Sequence, residues 1–231
     1  YWQQQADYDI QVTLNDDNQS INARSTITYT NNSPDTLRYI WVQLDQNRFK
    51  KDSIGPQASA TNADRMKKVS FSQMETMMTQ EEFPAGYTIT DVSDPRGEQM
   101  DYIINDTMMR IDLDKPLKSG ESIEFNIGWK FNIIEADVLG GRGGYEYFED
   151  DGNYLYEMSQ WFPRVAAYYD AEGWQNKQFM GRGEFTLEFG NYEVAITVPA
   201  DHIVAATGTL QNPDEVLTDE QQQRLEEAET A

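Results

Sequence analysis

The chain has 231 residues, with 40 acidic against 18 basic side chains, a net charge of −22 and no cysteine. That length holds one large β domain or two small ones, the charge repels phosphates and anionic membrane surfaces and so argues against nucleic acid as a partner, and the missing thiols exclude disulfides and thiolate metal sites. No apolar run approaches the roughly 20 residues that cross a bilayer, so no membrane span is expected in this chain.

The N-terminus YWQQQADYDI lacks the basic-then-apolar layout of a signal peptide, and its abrupt start at Tyr1 and Trp2 reads as trimmed of a leader. A periplasmic or extracellular setting follows, in keeping with the acidic surface, with a cytoplasmic one as the alternative. Period-two alternation then begins. YDIQVTL (8–14) and SINARSTITYT (20–30) flank the turn residues NDDN and predict an antiparallel hairpin. After NNSPD, LRYIWVQL (37–44) predicts a third strand, with Arg38, Ile40, Val42 and Leu44 on its more apolar face. Asn31-Asn32-Ser33 fits a glycosylation sequon, but the residues serve the turn.

Between residues 47 and 83 the alternation breaks. Met66, Val69, Met74, Met77 and Met78 stand near helical spacing, which predicts one short helix packed on the sheet, with Ser70 to Ser72 as an interruption. Strands resume as YTITDVS (87–93), MDYII (100–104), TMMRIDL (107–113) and SIEFNIGWKFNII (122–134), separated by DPRGE, ND and KPLKSGE. Many short strands with turns between them predict an all-β antiparallel sandwich.

GGRGG (140–144) lacks the GxxxxGK[ST] spacing of a phosphate loop and reads as a flexible turn. EDDGN (149–153) lacks the closing carboxylate of a calcium loop and reads as a solvated turn. GEFTLEF (183–189) and YEVAITVP (192–199) predict strands joined at Gly190-Asn191 in a tight hairpin, and HIVAATGTL (202–210) a further strand. From Pro213 the acid- and glutamine-rich tail predicts an exposed acidic helix, with Thr218 or Asp219 as cap. The organisation expected is thus a β domain over 1–212 and a helical tail over 213–231.

The catalytic inventory is short. One histidine, His202, and no cysteine cannot assemble a zinc site, HExxH and GxSxG are absent, and no acidic pair stands out for glycoside hydrolysis. The passage MSQWFPRVAAYYDAEGW (158–174) gathers two tryptophans, a phenylalanine and two tyrosines in an acidic chain, either core or a docking surface beside a site.

Three stretches taken together, SQWFPRVAAYYDAEGW, GEFTLEFGNYEVAITVPADHIVAATGTLQNP and YDIQVTLNDDNQSINARSTITYTNNSPDTLRYIWVQLDQN, resemble the N-terminal domain of bacterial zinc aminopeptidases of the aminopeptidase N type, with DTMMRIDLDKPLKSGESIEFNIGWKF matching its middle. The resemblance spans about residues 8–212. It implies a saddle-shaped β-sandwich that packs on a thermolysin-like catalytic domain, the partner within the same polypeptide, which carries HExxH and the zinc. This chain would then hold no cofactor and be inactive alone, while helping the parent hold peptide substrates.

The resemblance also gives Gln160 a role. In relatives a glutamine or glutamate just before the aromatic-proline segment faces the catalytic domain, and a side chain there helps hold the substrate's α-amino group through charge-assisted hydrogen bonds. The better-known members place the amine-binding residue two positions beyond a similar glutamine, where this sequence has Phe162, and Glu157 is a nearby acidic alternative. Trp161, Phe162, Arg164, Asp170 and Trp174 are the expected domain-interface residues. Burial of each large ring is worth about 2 kcal/mol, and exposure as an apolar patch is expected without the partner domain. Arg164 and Asp170 are either interface charges or a local ion pair. The rival reading is a stand-alone binding or adhesion sandwich that uses 158–174 as a peptide or sugar platform; an acid-pair glycosidase is a third.

Overall fold

A computed structural model of the chain describes residues 1–54, 70–139, 143–181 and 186–229. Its strands, in chain order, are β1 (Gln5–Asn15), β2 (Ser20–Thr30), β3 (Leu37–Gln43), β4 (Thr88–Ser93), β5 (Tyr102–Asn105), β6 (Met108–Leu117) and β7 (Ser122–Asn132), then β8 (Gly144–Phe148), β9 (Asn153–Glu157), β10 (Arg164–Val165), β11 (Tyr168–Tyr169), β12 (Gly173–Trp174) and β13 (Tyr192–Thr197). One sheet runs in the order β13-β1-β2-β7-β4, the other β10-β3-β6-β5, and β8-β9 and β11-β12 form two-stranded ribbons.

Alternation sets which side chains enter the core, because successive residues of a strand point to opposite faces. Ile10 and Val12 of β1, Ile27 and Tyr29 of β2, and Phe125, Ile127 and Trp129 of β7 are buried against Ile40, Val42, Met109 and Ile111 of the second sheet in one cluster. The all-β sandwich expected from the sequence is therefore present. Two irregularities adjust it. A register shift between Leu37 and Tyr39 turns Leu37 inward, away from the face that simple alternation assigns it. A second shift, between Ile89 and Asp91 of β4, lies opposite Gly128, where a Cβ would stand 2.6 Å from Thr90 Oγ1, so the bulge and the glycine require each other.

The edge of the first sheet departs from expectation. No hairpin forms at Gly190-Asn191. Phe189 bridges Gln5 and β13 pairs with β1 in parallel from Tyr8↔Tyr192 onward, so this segment runs straight along one edge. The Ala6 and Tyr8 amides donate to the carbonyls of Phe189 (3.1 Å) and Asn191 (2.9 Å), which uses up the hydrogen bonds a hairpin partner would need. Residues 183–185 of the expected preceding strand lie outside the described residues.

The helix expected near the methionines is α1 (Phe71–Glu82), which begins within the serines read as its interruption. Its methionines do not pack on the sheet: Met74, Met77 and Met78 are about half exposed. Contact is instead with the short α2 (Ala136–Leu139), where Gln80 Nε2 donates to the Val138 carbonyl. Met66 and Val69 lie outside the described residues. The sequon asparagine, Asn31, is fully buried, donating to the carbonyls of Asp35 (2.8 Å) and Leu117 (3.1 Å) and accepting from Ser33 Oγ (2.7 Å), so it serves the turn.

Residues 1–197 form one compact unit and 198–231 a second. In the second, the strand expected over 202–210 is absent, and Ile203 and Val204 are exposed. No other strand is found among the described residues of this unit to satisfy its backbone. α3 (Pro213–Val216) and α4 (Asp219–Glu229) make up the tail. Thr218 caps α4 as expected: its Oγ1 accepts from the Gln221 amide (3.3 Å) while Gln221 Oε1 accepts from the Thr218 amide (2.8 Å).

Candidate ligand cleft

β3 leads directly into a short 3-10 helix, Asp45–Phe49, whose polar side chains organise one end of the sandwich. Asn47 is 1% exposed; its Nδ2 donates to the Asp106 carbonyl at 2.8 Å and its Oδ1 accepts the Tyr87 amide at 2.9 Å. Asp45 receives both Nε (3.0 Å) and Nη2 (2.7 Å) of Arg164 on one oxygen. Burial pushes the Asp45 carboxyl upward, and the guanidinium pulls it back. Gln46 reaches across to the 159–160 turn, donating to the carbonyls of Ser159 (3.1 Å) and Gln160 (3.3 Å).

The turn itself is unusual. Gln160 has φ of +52°, the left-handed region that a non-glycine residue enters at a cost. It is held there from outside, because the Tyr87 hydroxyl also donates to its carbonyl at 2.8 Å. Burial raises the Tyr87 phenol well above its ordinary value, so it stays protonated and remains a donor.

Between the 3-10 helix, this turn and the segment near Phe179 opens a cleft of about 380 Å³. Its walls include Gln46, Arg48, Glu157, Gln160, Phe179 and Gly181. The structure thus brings the two residues singled out for substrate contact, Gln160 and Glu157, into one cavity. Thr107, 1% exposed, fixes the far wall: its hydroxyl donates to Gln178 Oε1 (2.7 Å) and accepts the Phe179 amide (2.7 Å). Arg48 projects into the cleft, its guanidinium carbon 4.8 Å from the Phe49 ring centre and 5.5 Å from that of Phe179.

The aromatic passage does not form the expected exposed patch. Trp161 lies 6.4 Å from Trp129 and 5.1 Å from Phe162, Phe162 packs edge-on against Tyr8 at 5.6 Å, and Trp174 lies 5.9 Å from Tyr29. All three are half-buried against the core. Arg164 pairs with buried Asp45, not with Asp170, which is exposed.

Among the described residues no group of three or more His, Cys, Asp or Glu side chains is placed to hold a metal ion. His202, the single imidazole, has Nδ1 3.0 Å from Asp201 Oδ1. This donor set does not fit a catalytic zinc. No helix among the described residues is long and apolar enough to cross a membrane.

Gln46, Asn47 and Arg48 escaped the sequence reading because they fall where the alternation stops. The signal available was the density of polar side chains in DQNR directly after an apolar strand.

Comparison with known proteins gives no matching family model and no matching curated protein. Among solved structures, an M1 zinc metallopeptidase from Deinococcus radiodurans is similar over 90% of this chain and 35% of that one, at 13% identity and a TM-score of 0.46. A mutant of that enzyme bound to a Tyr-Ser-Ala substrate is similar at 12% identity and a TM-score of 0.46, over 90% of this chain and 36% of that one. The chain therefore spans about a third of the length of the solved structures it matches.

Proposed function

We propose that the chain is the non-catalytic N-terminal domain of a zinc metallo-aminopeptidase, one domain of a larger protein in the periplasm or outside the cell, whose cleft helps hold the amino end of a peptide substrate. The observation that carries this reading is Gln160. A glutamine kept in left-handed backbone by Gln46 and Tyr87, at the wall of a cavity it shares with Glu157, is strain retained at a point where a side chain must be aimed. The amide oxygen of Gln160 and the carboxylate of Glu157 both suit an α-ammonium group, which offers three charge-assisted hydrogen bonds. The order of strand sequences that resembles the aminopeptidase N type supplies the enzyme class, and the zinc belongs to the missing catalytic domain.

The rival, a stand-alone sandwich binding through 158–174, loses its platform because Trp161, Phe162 and Trp174 pack inward. Kinetics of the complete polypeptide test the proposal. Gln160→Ala or Glu157→Gln is expected to raise KM for an aminoacyl anilide more than it lowers kcat; a complete polypeptide without chelator-sensitive aminopeptidase activity would overturn the reading.

A further inference from the structure

Arg48 has a setting that the aminopeptidase reading does not use. In a chain of net charge −22 four of the seven described arginines pair with carboxylates, Arg164 with Asp45, Arg96 with Asp94 and Glu98, Arg110 with Asp112 and Arg224 with Glu220, while Arg24 donates to Gln11 and Arg38 stands exposed to solvent. Among the described residues Arg48 has neither ion pair nor side-chain hydrogen bond, although it is half-buried at the wall of the cleft. Its guanidinium is steadied by the Phe49 and Phe179 rings, which hold a cation through their faces and leave the N–H fork free.

The backbone makes room for it. Gly181, at φ +79°, lies so close to the guanidinium that a Cβ there would collide with it. Burial lowers the arginine's affinity for its proton, the mark of a cation short of compensation. An incoming anion would supply that compensation.

We propose that the cleft is a binding site for a ligand bearing a single carboxylate, taken in bidentate fashion by Arg48, with the chain terminus of a short peptide as the fitting class. A planar guanidinium fork matches a carboxylate, and among the described residues that line the cleft Arg48 is the one cation and Glu157 the one acid, a balance that suits a monoanion better than a phosphate dianion. The proposal stands apart from the role given to Gln160, since it needs neither zinc nor a catalytic domain.

The test uses the 231-residue chain and two probes, acetyl-dialanine with a free carboxylate and the same peptide as its amide, followed by calorimetry and by NMR of the arginine Nε–H signals. Saturable binding of the acid with a shift of the Arg48 signal, about tenfold or greater weakening for the amide, and equal weakening in Arg48→Gln are expected. Gly181→Ala, which displaces the guanidinium without removing its charge, is expected to weaken the acid as well. Acid and amide binding alike, no binding of either, tighter binding of inorganic phosphate, or unchanged affinity in an Arg48→Gln protein with a native spectrum would each overturn the proposal. None of these outcomes touches the aminopeptidase reading, because neither probe carries a free amino group.

Discussion

Arg164 and Asp45, 119 residues apart in sequence, are joined by two hydrogen bonds of 3.0 and 2.7 Å to a single carboxylate oxygen, with side chains 18% and 2% exposed. The pair ties β10 to the 3-10 helix that follows β3. Removing one partner leaves the other charge buried and uncompensated. Asp45→Asn and Arg164→Gln are each expected to destabilise the fold by about 3 kcal/mol, read from urea denaturation midpoints. A loss below about 1 kcal/mol would show the pair to behave as an exposed one.

Asn47 ties the Tyr87 and Asp106 backbones together by a different route. Truncation to alanine strands the Tyr87 amide and the Asp106 carbonyl inside the fold, at a cost of about 2 kcal/mol. The same variant is expected to loosen the 159–160 turn, because Tyr87 is one of the two groups that hold it. A sharper near-ultraviolet loss than that of an equally destabilised surface variant would register this.

Gln160 offers a comparison of two substitutions. At φ +52° alanine pays the left-handed penalty and glycine does not, so Gln160→Gly is expected to be more stable than Gln160→Ala by about 1 kcal/mol. Equal stabilities, or the reverse order, would contradict the strained backbone. Both variants remove the side chain and are expected to weaken the proposed amino-end contact equally in the complete polypeptide.

The parallel edge should respond to acid. The Asn191 amide, 2.7 Å from Asp7 Oδ1, lowers the Asp7 carboxyl below its ordinary value of 3.8, with Gln5 assisting. A carboxyl depressed in the folded state stabilises fully above its unfolded value, and the contribution is lost as pH falls through the folded one. The NMR signal of the Asn191 amide is therefore expected to titrate below pH 3.8, with the β13 amides losing protection alongside it. An Asn191 signal that stays constant there would sink this clamp.

What the sequence disclosed follows what local patterns encode. Alternation located β2 to the residue and placed Ile40 and Val42 in the core, because period two is a property of the strand itself. Partner choice is not local. GEFTLEFGNYEVAIT looks like two strands around a turn, but the open edge of β1 takes residues 189–197 in parallel, and nothing in those residues announces that edge. For the same reason the aromatic passage could be read from its own residues as core or as docking surface, while Tyr8, Tyr29 and Trp129, distant in sequence, meet it in the fold. Gln160 and Glu157 entered through resemblance alone, and the cleft that unites them with Arg48 became visible only once the 3-10 helix was in place.

The central claim, that this domain supports a peptidase whose metal chemistry lies in another domain, is tested most directly by comparing the 231-residue chain with the complete polypeptide, each incubated with zinc and leucine para-nitroanilide. The account predicts chelator-sensitive release of nitroaniline by the complete polypeptide and none above background by the chain alone. Zinc-dependent turnover by the isolated chain would contradict it.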